Sequence, residues 1–405
     1  MTYKEFYEAF KNRKDATSLF DYYKAKQDIL LRRQQGSSPN NKLVNAFPSY
    51  ITNVNVGYFL GTPVRYTSLD EAFVQRLQDI FIYNDEQDEN IVLARYASIA
   101  GTAYEIVYLD ENSDIRFNEV SPEHMVIVYD DKITPEPLFA VRCWEKGNKT
   151  HLEAYTKTEV IKFVNGNETD RYEHRIGDVP VIEYPNNDDR IGDFEKVMTL
   201  IDAYDNAQSN IANDFEYFSD AYLKLINLSS TSSEDIEKMK KERVMLLEDG
   251  DADWLLKEIQ DSAHENFKNR LAQDIHRFSQ TPNLTDEAFA GNSSGVALRY
   301  KLLGMEWNAA TKERKFKRAL QRRIELICNV LNLKGANYDW REIEIQFARN
   351  LPQNEFEAVQ IAAMLKGIIS DDTLLSIIPY IDDPSNEMEK IEAQGHYSLE
   401  DFDEL

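Results

Sequence analysis

Cysteine is nearly absent. The 405 residues hold two, Cys143 and Cys328, far apart in the chain, which excludes a disulfide framework and a CxxC metal knuckle. The expectation is a soluble protein of a reducing compartment. No run approaches the roughly 18–20 apolar residues needed to cross a bilayer, and the opening Met1-Thr-Tyr-Lys-Glu-Phe carries charge where a signal peptide needs an apolar core. Catalytic signatures are missing as well. There is no GxxxxGKS/T phosphate loop, since Lys146-Gly-Asn-Lys-Thr150 lacks the upstream Gly, and there is no GxGxxG, HExxH or GxSxG. Positive charge is scarce: 46 Lys+Arg stand against 71 Asp+Glu, a net of −25. A surface that coats nucleic acid runs on Lys and Arg, so that balance argues against a tight binder.

What is present is core-forming material. Hydrophobic residues make up 42% and aromatics 11%, too much for a disordered acidic chain, and the length suits about two to four domains. Residues 3–31 have helical spacing (Phe6, Phe10, Phe20, Tyr23, Ile29) and break at the turn formers 35–41. A helix is expected over 46–60, with Pro48 in its first turn and Gly61-Thr-Pro63 after its end. Ser68 to Glu71 reads as a capping box opening a helix to about Tyr83, followed by one from Glu89 to Ile99. From Ala103 to Tyr184 the period shortens. Six segments (104–109, 115–120, 125–129, 139–144, 151–156 and 160–164) are rich in β-branched and aromatic residues, predicting an antiparallel meander. After residue 187 the pattern is almost wholly helical: 193–226, then 259–279, then a long helix from Gly295 to about Leu333. Residues 244–259 read as a hairpin about an Asp/Gly turn. A strand at 343–347, a helical segment opened by Pro352 and an acidic, partly disordered tail from 381 complete the chain.

The candidates for chemistry are few. Six His residues are scattered, and only His264 and His276 share a predicted helix. Asp110-x-Asn112-x-Asp114 and Asp249-Gly-Asp251-Ala-Asp253 resemble calcium loops, but each lacks the Gly and the closing Glu that such loops need, so both read as solvated turns. Glu313-Arg-Lys315 is an ExK triplet inside a basic helix, which is the only trace of a metal-dependent nuclease frame. The long helix says more. Nine basic residues and two acids lie between Arg299 and Arg323. At about 100° per residue, Phe316, Leu320, Ile324, Ile327 and Leu331 form an apolar stripe, with Arg314, Lys315, Arg318 and Arg322 opposite. Those four cations are candidates for phosphate contact or for pairing with acidic neighbours. The loop before them, Phe289-Ala-Gly291-Asn292-Ser293-Ser294-Gly, is polar and uncharged.

Four stretches together resemble the tailed-phage portal proteins, in the branch typical of long-tailed phages of Gram-positive bacteria. They are Asn41 to Tyr50 with Gly57 to Tyr66; Gly177 to Asn187 with Asp193 to Asn213; Phe289 to Glu306; and Gly367 to Leu374 with 381–391. They keep family order over roughly 41–395. The resemblance implies an α+β portal fold, mainly helical, with a β-rich wing, helical stem, small clip and helical crown. Residues 1–193 and 294–350 would be the wing, 194–227 and 259–280 the stem, 228–258 the clip, 281–293 the tunnel loop, and 351–405 the crown and tail. It implies no catalysis and no cofactor. The expected assembly is a ring, typically of twelve subunits, at one capsid vertex. Its implied partners are the double-stranded DNA passing through, the terminase large subunit, head-completion and adaptor proteins, and major capsid and scaffolding proteins; no membrane is involved. The locations implied are the virion and, during assembly, the host cytoplasm. On this reading Phe289, Gly291, Asn292, Ser293 and Ser294 would face DNA, and Asp249, Asp251, Asp253 and Trp254 would face terminase. The alternatives are a virion scaffold or adaptor without DNA passage, and a metal-dependent nuclease.

Overall fold

The computed structural model describes residues 1–34, 36, 38–218, 222–226, 232, 234, 237, 251–255, 261–285, 299–350, 355–378, 381 and 384–394. Contacts divide the chain into two units, residues 1–284 with 302–348, and residues 285–301 with 349–405.

The first unit is layered, and the period-2 alternation of its strands assigns the layers. Strands β1 (Arg65–Thr67), β2 (Thr102–Leu109), β3 (Ile115–Val120), β4 (Met125–Tyr129), β5 (Pro137–Lys146), β6 (Lys149–Tyr155), β7 (Glu159–Val164), β8 (Asn167–Glu173) and β9 (Val181–Pro185) form its β region. The predicted single meander is in fact two sheets. β4 to β8 pair in sequence order, whereas β2 pairs with β3 and with β9. Tyr104 and Ile106 of β2 face Met125, Ile127 and Ala140 between the sheets. The alternate residues Ala103 and Val107 face a second core on the other side. On the outer face of the five-stranded sheet, Phe139, Val141 and Cys143 meet Phe6 of helix α1 (Tyr3–Lys11). β8 escaped the pattern because all seven of its residues are exposed. At the turn into it, Asn165 and Gly166 both have positive φ, at 49° and 83°, as a two-residue hairpin of this hand requires.

The helices close the unit. α2 (Thr17–Tyr23) is separated from α1 by coil, so the predicted run over 3–31 is broken. Ala25, at φ 58°, follows its end. α3 (Phe47–Leu60) matches expectation, with Pro48 at its start. α4 (Glu71–Tyr83) is capped by Asp70, whose carboxylate accepts from Phe73 N at 3.0 Å, rather than by Ser68. α5 (Glu86–Ala100) ends at Gly101, where a Cβ would lie 2.0 Å from Arg190 O; only Gly lets these two backbones cross. α6 (Met198–Phe218) and α7 (Asp261–Ser279) pack together. Ile275 near the end of α7 meets Ile201 near the start of α6, so they run antiparallel. The expected helix over 193–226 stops at Phe218. β10 (Tyr222–Ile226) follows, and it pairs with β11 (Asp251–Leu255). The described partner of residues 251–255 is thus 222–226, not the 244–248 arm, which lies outside the described residues. The long helix α8 (Leu303–Leu333) buries Phe316, Leu320, Ile324, Ile327 and Leu331 against α3, α4 and β2. β12 (Glu344–Gln346) returns to pair with β1.

The second unit contains α9 (Glu355–Leu365), α10 (Asp371–Ile377) and α11 (Pro384–Gln394). Gly367, at φ 82°, turns the chain after α9, and Ser370 caps α10. The start of the acidic tail is therefore helical.

One feature of α6 has no counterpart in the hydrophobic pattern. Asp205, Ser209 and Asn213 accept the backbone N–H groups of Asn45, Leu43 and Asn41 at 2.9, 2.9 and 2.6 Å. Four residues of helix advance about 6.0 Å, and two residues of extended chain about 6.6 Å, so the two periods match. Residues 41–45, which join no sheet, thereby find donors' partners on a helix face. Asp205 is fully buried, and burial pushes its carboxyl up to about 6 despite the two donors from Asn45. A folded-state pKa above the ordinary 3.8 favours the protonated form, so this contribution is present below about pH 4 and lost as pH rises to about 6. Urea titrations of wild type and Asp205→Asn across pH 4–6 should therefore show the wild type losing about 1–2 kcal/mol relative to the variant. A constant difference would contradict this.

Candidate functional site: the cations of the long helix

The long helix places its cations at three depths, and depth decides what each can do. Arg323 is completely buried. Its Nη2 and Nε donate to the two oxygens of Glu105 at 2.6 and 3.0 Å, and Nη1 donates to Glu86 Oε1 at 3.1 Å. Tyr184 OH donates to Glu105 at 2.8 Å, and the Tyr66 hydroxyl and Asn90 amide donate to Glu86. The Phe117 ring lies 4.5 Å from the guanidinium. One helix, one strand and the start of another helix thus share a single cation. Next to it Glu89 is pushed up to about 9 by burial, a hydrogen bond with Glu119 and the charge of Glu105, so it keeps its proton at neutral pH.

Lys312 makes the second buried pair. Its ammonium meets Asp193, which also takes the Ser98 hydroxyl and, at 2.8 Å, the Asn186 amide. Lys312 and Arg323 were counted among the basic residues but not singled out. The signal was available, because Lys312 precedes Phe316 by one turn and Arg323 lies seven residues beyond it, both on the apolar stripe.

The four cations expected on the opposite face divide. Arg322 is held by Asp178 at 2.7 Å and Glu325 at 2.8 Å, and Lys315 by Asp188. Arg314 and Arg318 are exposed and, with the half-buried Lys317, have no ion-pair partner among the described residues.

The other candidates are less defined. Phe289, Gly291, Asn292, Ser293, Ser294 and Asp249 lie outside the described residues. On β11, Asp251, Asp253 and Trp254 stand opposite Ile226, Lys224 and Leu223. In the 110–114 turn the Asp110 carboxylate accepts the backbone N–H groups of Asn112 and Asp114, both at 2.9 Å, as in a solvated turn. His276 Nδ1 donates to Thr281 O (3.0 Å), and its ring packs edge-on to Phe47 and Tyr50. Among the described residues no group of three His, Cys, Asp or Glu side chains is placed to hold a metal ion, and no helix is long and apolar enough to cross a membrane.

Comparison with known proteins assigns the family. The family model of phage portal proteins, SPP1 Gp6-like, matches residues 4–400. The portal protein of Bacillus phage SPP1 is 24% identical over 92% of this chain and 82% of its own length. That of Clostridium phage phiCD119 is 24% identical over 89% and 88%. The fold is shared with a chain in the neck of an empty GTA particle computed with C6 symmetry, at TM-score 0.53, 14% identity and coverage of 91% and 95%. A chain in the neck of the native particle, computed with C12 symmetry, gives 0.52, 14%, 90% and 94%. The chain belongs to the SPP1 Gp6-like family of phage portal proteins, the head–tail connectors.

Removing Arg323 would leave Glu105 and Glu86 buried without a counter-charge. Arg323→Ala should cost about 3–5 kcal/mol, read as the shift in urea midpoint multiplied by the m-value. A loss below about 1 kcal/mol would show that the lock contributes little.

Proposed function

We propose that this chain assembles into a ring of twelve subunits at one vertex of the capsid. Through it a separate terminase packages duplex DNA, the genome is held, and DNA later leaves as the tail-side proteins dock. The family match over residues 4–400 carries the reading. The C12 neck that shares the fold supports a twelvefold ring. The wing is assigned to 1–193 and 294–350, the stem to 194–227 and 259–280, the clip to 228–258, the tunnel loop to 281–293 and the crown to 351–405. The antiparallel pair α6 and α7 suits a stem, and the β10–β11 ladder between them suits the base of a clip. The partners are a second copy, duplex DNA, the terminase large subunit, head-completion and adaptor proteins, and capsid and scaffolding proteins. Its places are the portal vertex of the virion and, before that, the host cytoplasm.

The chain itself catalyses nothing on this reading; the ATPase is another protein. Its acidity then acts by keeping phosphate contact weak, since every neutralised phosphate adds affinity through counterion release. A channel that gripped the backbone would stall it.

Electron microscopy of the purified chain should show rings with a central hole, and the same preparation should leave duplex DNA uncut in Mg²⁺ or Mn²⁺. Monomers or dimers at every concentration and salt would refute the ring, and cleavage would favour a nuclease. Asn292→Glu with Ser293→Glu should lower the amount of genome packaged while rings form as before. Normal filling would remove the tunnel-loop assignment.

A further inference from the structure

The long helix, the segment joining β4 to β5, and β9 enclose a groove of about 950 Å³. Arg314, Lys317 and Arg318 line its helical wall, at spacings of three and four residues that put them on one face. The anions of the facing wall are already matched. Asp178 pairs with Arg322 at 2.7 Å and Lys157 at 3.7 Å, Glu183 with Arg190 at 2.6 Å, and Glu136 with Lys132 at 2.8 Å. Arg322 and Lys315 are likewise spent on Asp178, Glu325 and Asp188. Three cations, one of them (Arg314) bonded to the Thr311 hydroxyl at 3.4 Å, are thus left without a carboxylate partner among the described residues, side by side in a chain whose net charge is −25.

Two kinds of anion suit such a patch, nucleic-acid phosphate and protein carboxylate. The groove favours the second. Asp178, Glu183, Glu136 and Glu325 line it too, and a duplex carrying one charge per about 1.7 Å would meet them along with the cations. A side chain or short turn bearing carboxylates approaches the three cations alone. The chain's own surface is rich in such groups: Asp79, Asp85, Asp88, Glu111 and Asp114 are all exposed. A contact between two unlike patches of identical chains is the kind that closes a ring.

We propose that this groove seats carboxylates from the surface of a second copy of the chain, with Arg314, Lys317 and Arg318 as the cationic half of the intersubunit contact. The inference rests on the ring reading and names the part of the wing that makes the ring.

The test uses the full chain with Arg314→Glu and Arg318→Glu beside the wild type, followed by light scattering after size exclusion over a range of concentration and NaCl. The wild type should assemble, and less readily as salt screens the contact. The variant should need at least about tenfold more protein to assemble, with circular dichroism and Tm unchanged because both side chains are exposed. Arg314→Gln with Arg318→Gln supplies the same comparison should the Glu pair misfold. A variant that assembles at the wild-type concentration overturns the proposal. So does one that assembles normally and loses only its affinity for duplex DNA, which would make the patch a phosphate site. A wild type that stays monomeric throughout overturns the ring reading and this contact with it.

Discussion

Arg323 is the point on which the first unit hangs together. A guanidinium with no solvent exposure needs its charge and its donors met, and Glu105 and Glu86 meet them from a strand of the inner sheet and from the first turn of α5. Because Tyr184 of β9 and Tyr66 of β1 complete the carboxylates, five elements acquire their relative positions from one cation. Apolar packing of Phe316, Leu320 and Ile324 supplies the attraction. The charge network supplies register, since sliding the helix by one turn would bury Arg323 against hydrocarbon and strand two carboxylates.

The same helix thereby sorts its charges by depth. Lys312 and Arg323 are interior and structural, while Lys315 and Arg322 sit at the margin on the chain's own Asp188 and Asp178. Arg314 and Arg318 remain at the surface, open to another molecule. A basic run in an acidic protein looks at first like a nucleic-acid contact. Four of the seven cations on α8 are neutralised internally, and on the proposed reading the other three join like subunits without holding a polyanion. On the proposed reading, that partition reconciles a net charge of −25 with a ring through which DNA passes.

Much of this was legible in the residues. The six predicted strands fall where the alternation put them, as do α3 and most of α8, because burial on one face leaves a period in the sequence. What failed has physical causes. β8 has no buried face, so no period marks it. The division into two sheets depends on β9 pairing beside β2 across some eighty residues, a long-range choice that local pattern does not carry. Asp70 outcompeted Ser68 as a cap because the helix begins one residue after it. The match between Asp205, Ser209, Asn213 and the backbone of 41–45 pairs two different periods in distant segments, which no single-window reading detects. As for the site, the outward cations were found from the helical wheel, but their division into those with and without a carboxylate partner required the segment 178–193, β9 included, to be in place.

The central claim is that α8 is fixed from within by buried ion pairs and meets its neighbours with the cations left over. A side-chain-resolution electron-microscopy reconstruction of the assembled particle tests it directly. The account predicts Arg323 still enclosed by Glu105 and Glu86, and Arg314 and Arg318 against carboxylates of the adjacent subunit. Arg323 turned out of the core, or Arg314 and Arg318 facing open channel with no protein carboxylate near them, would contradict it.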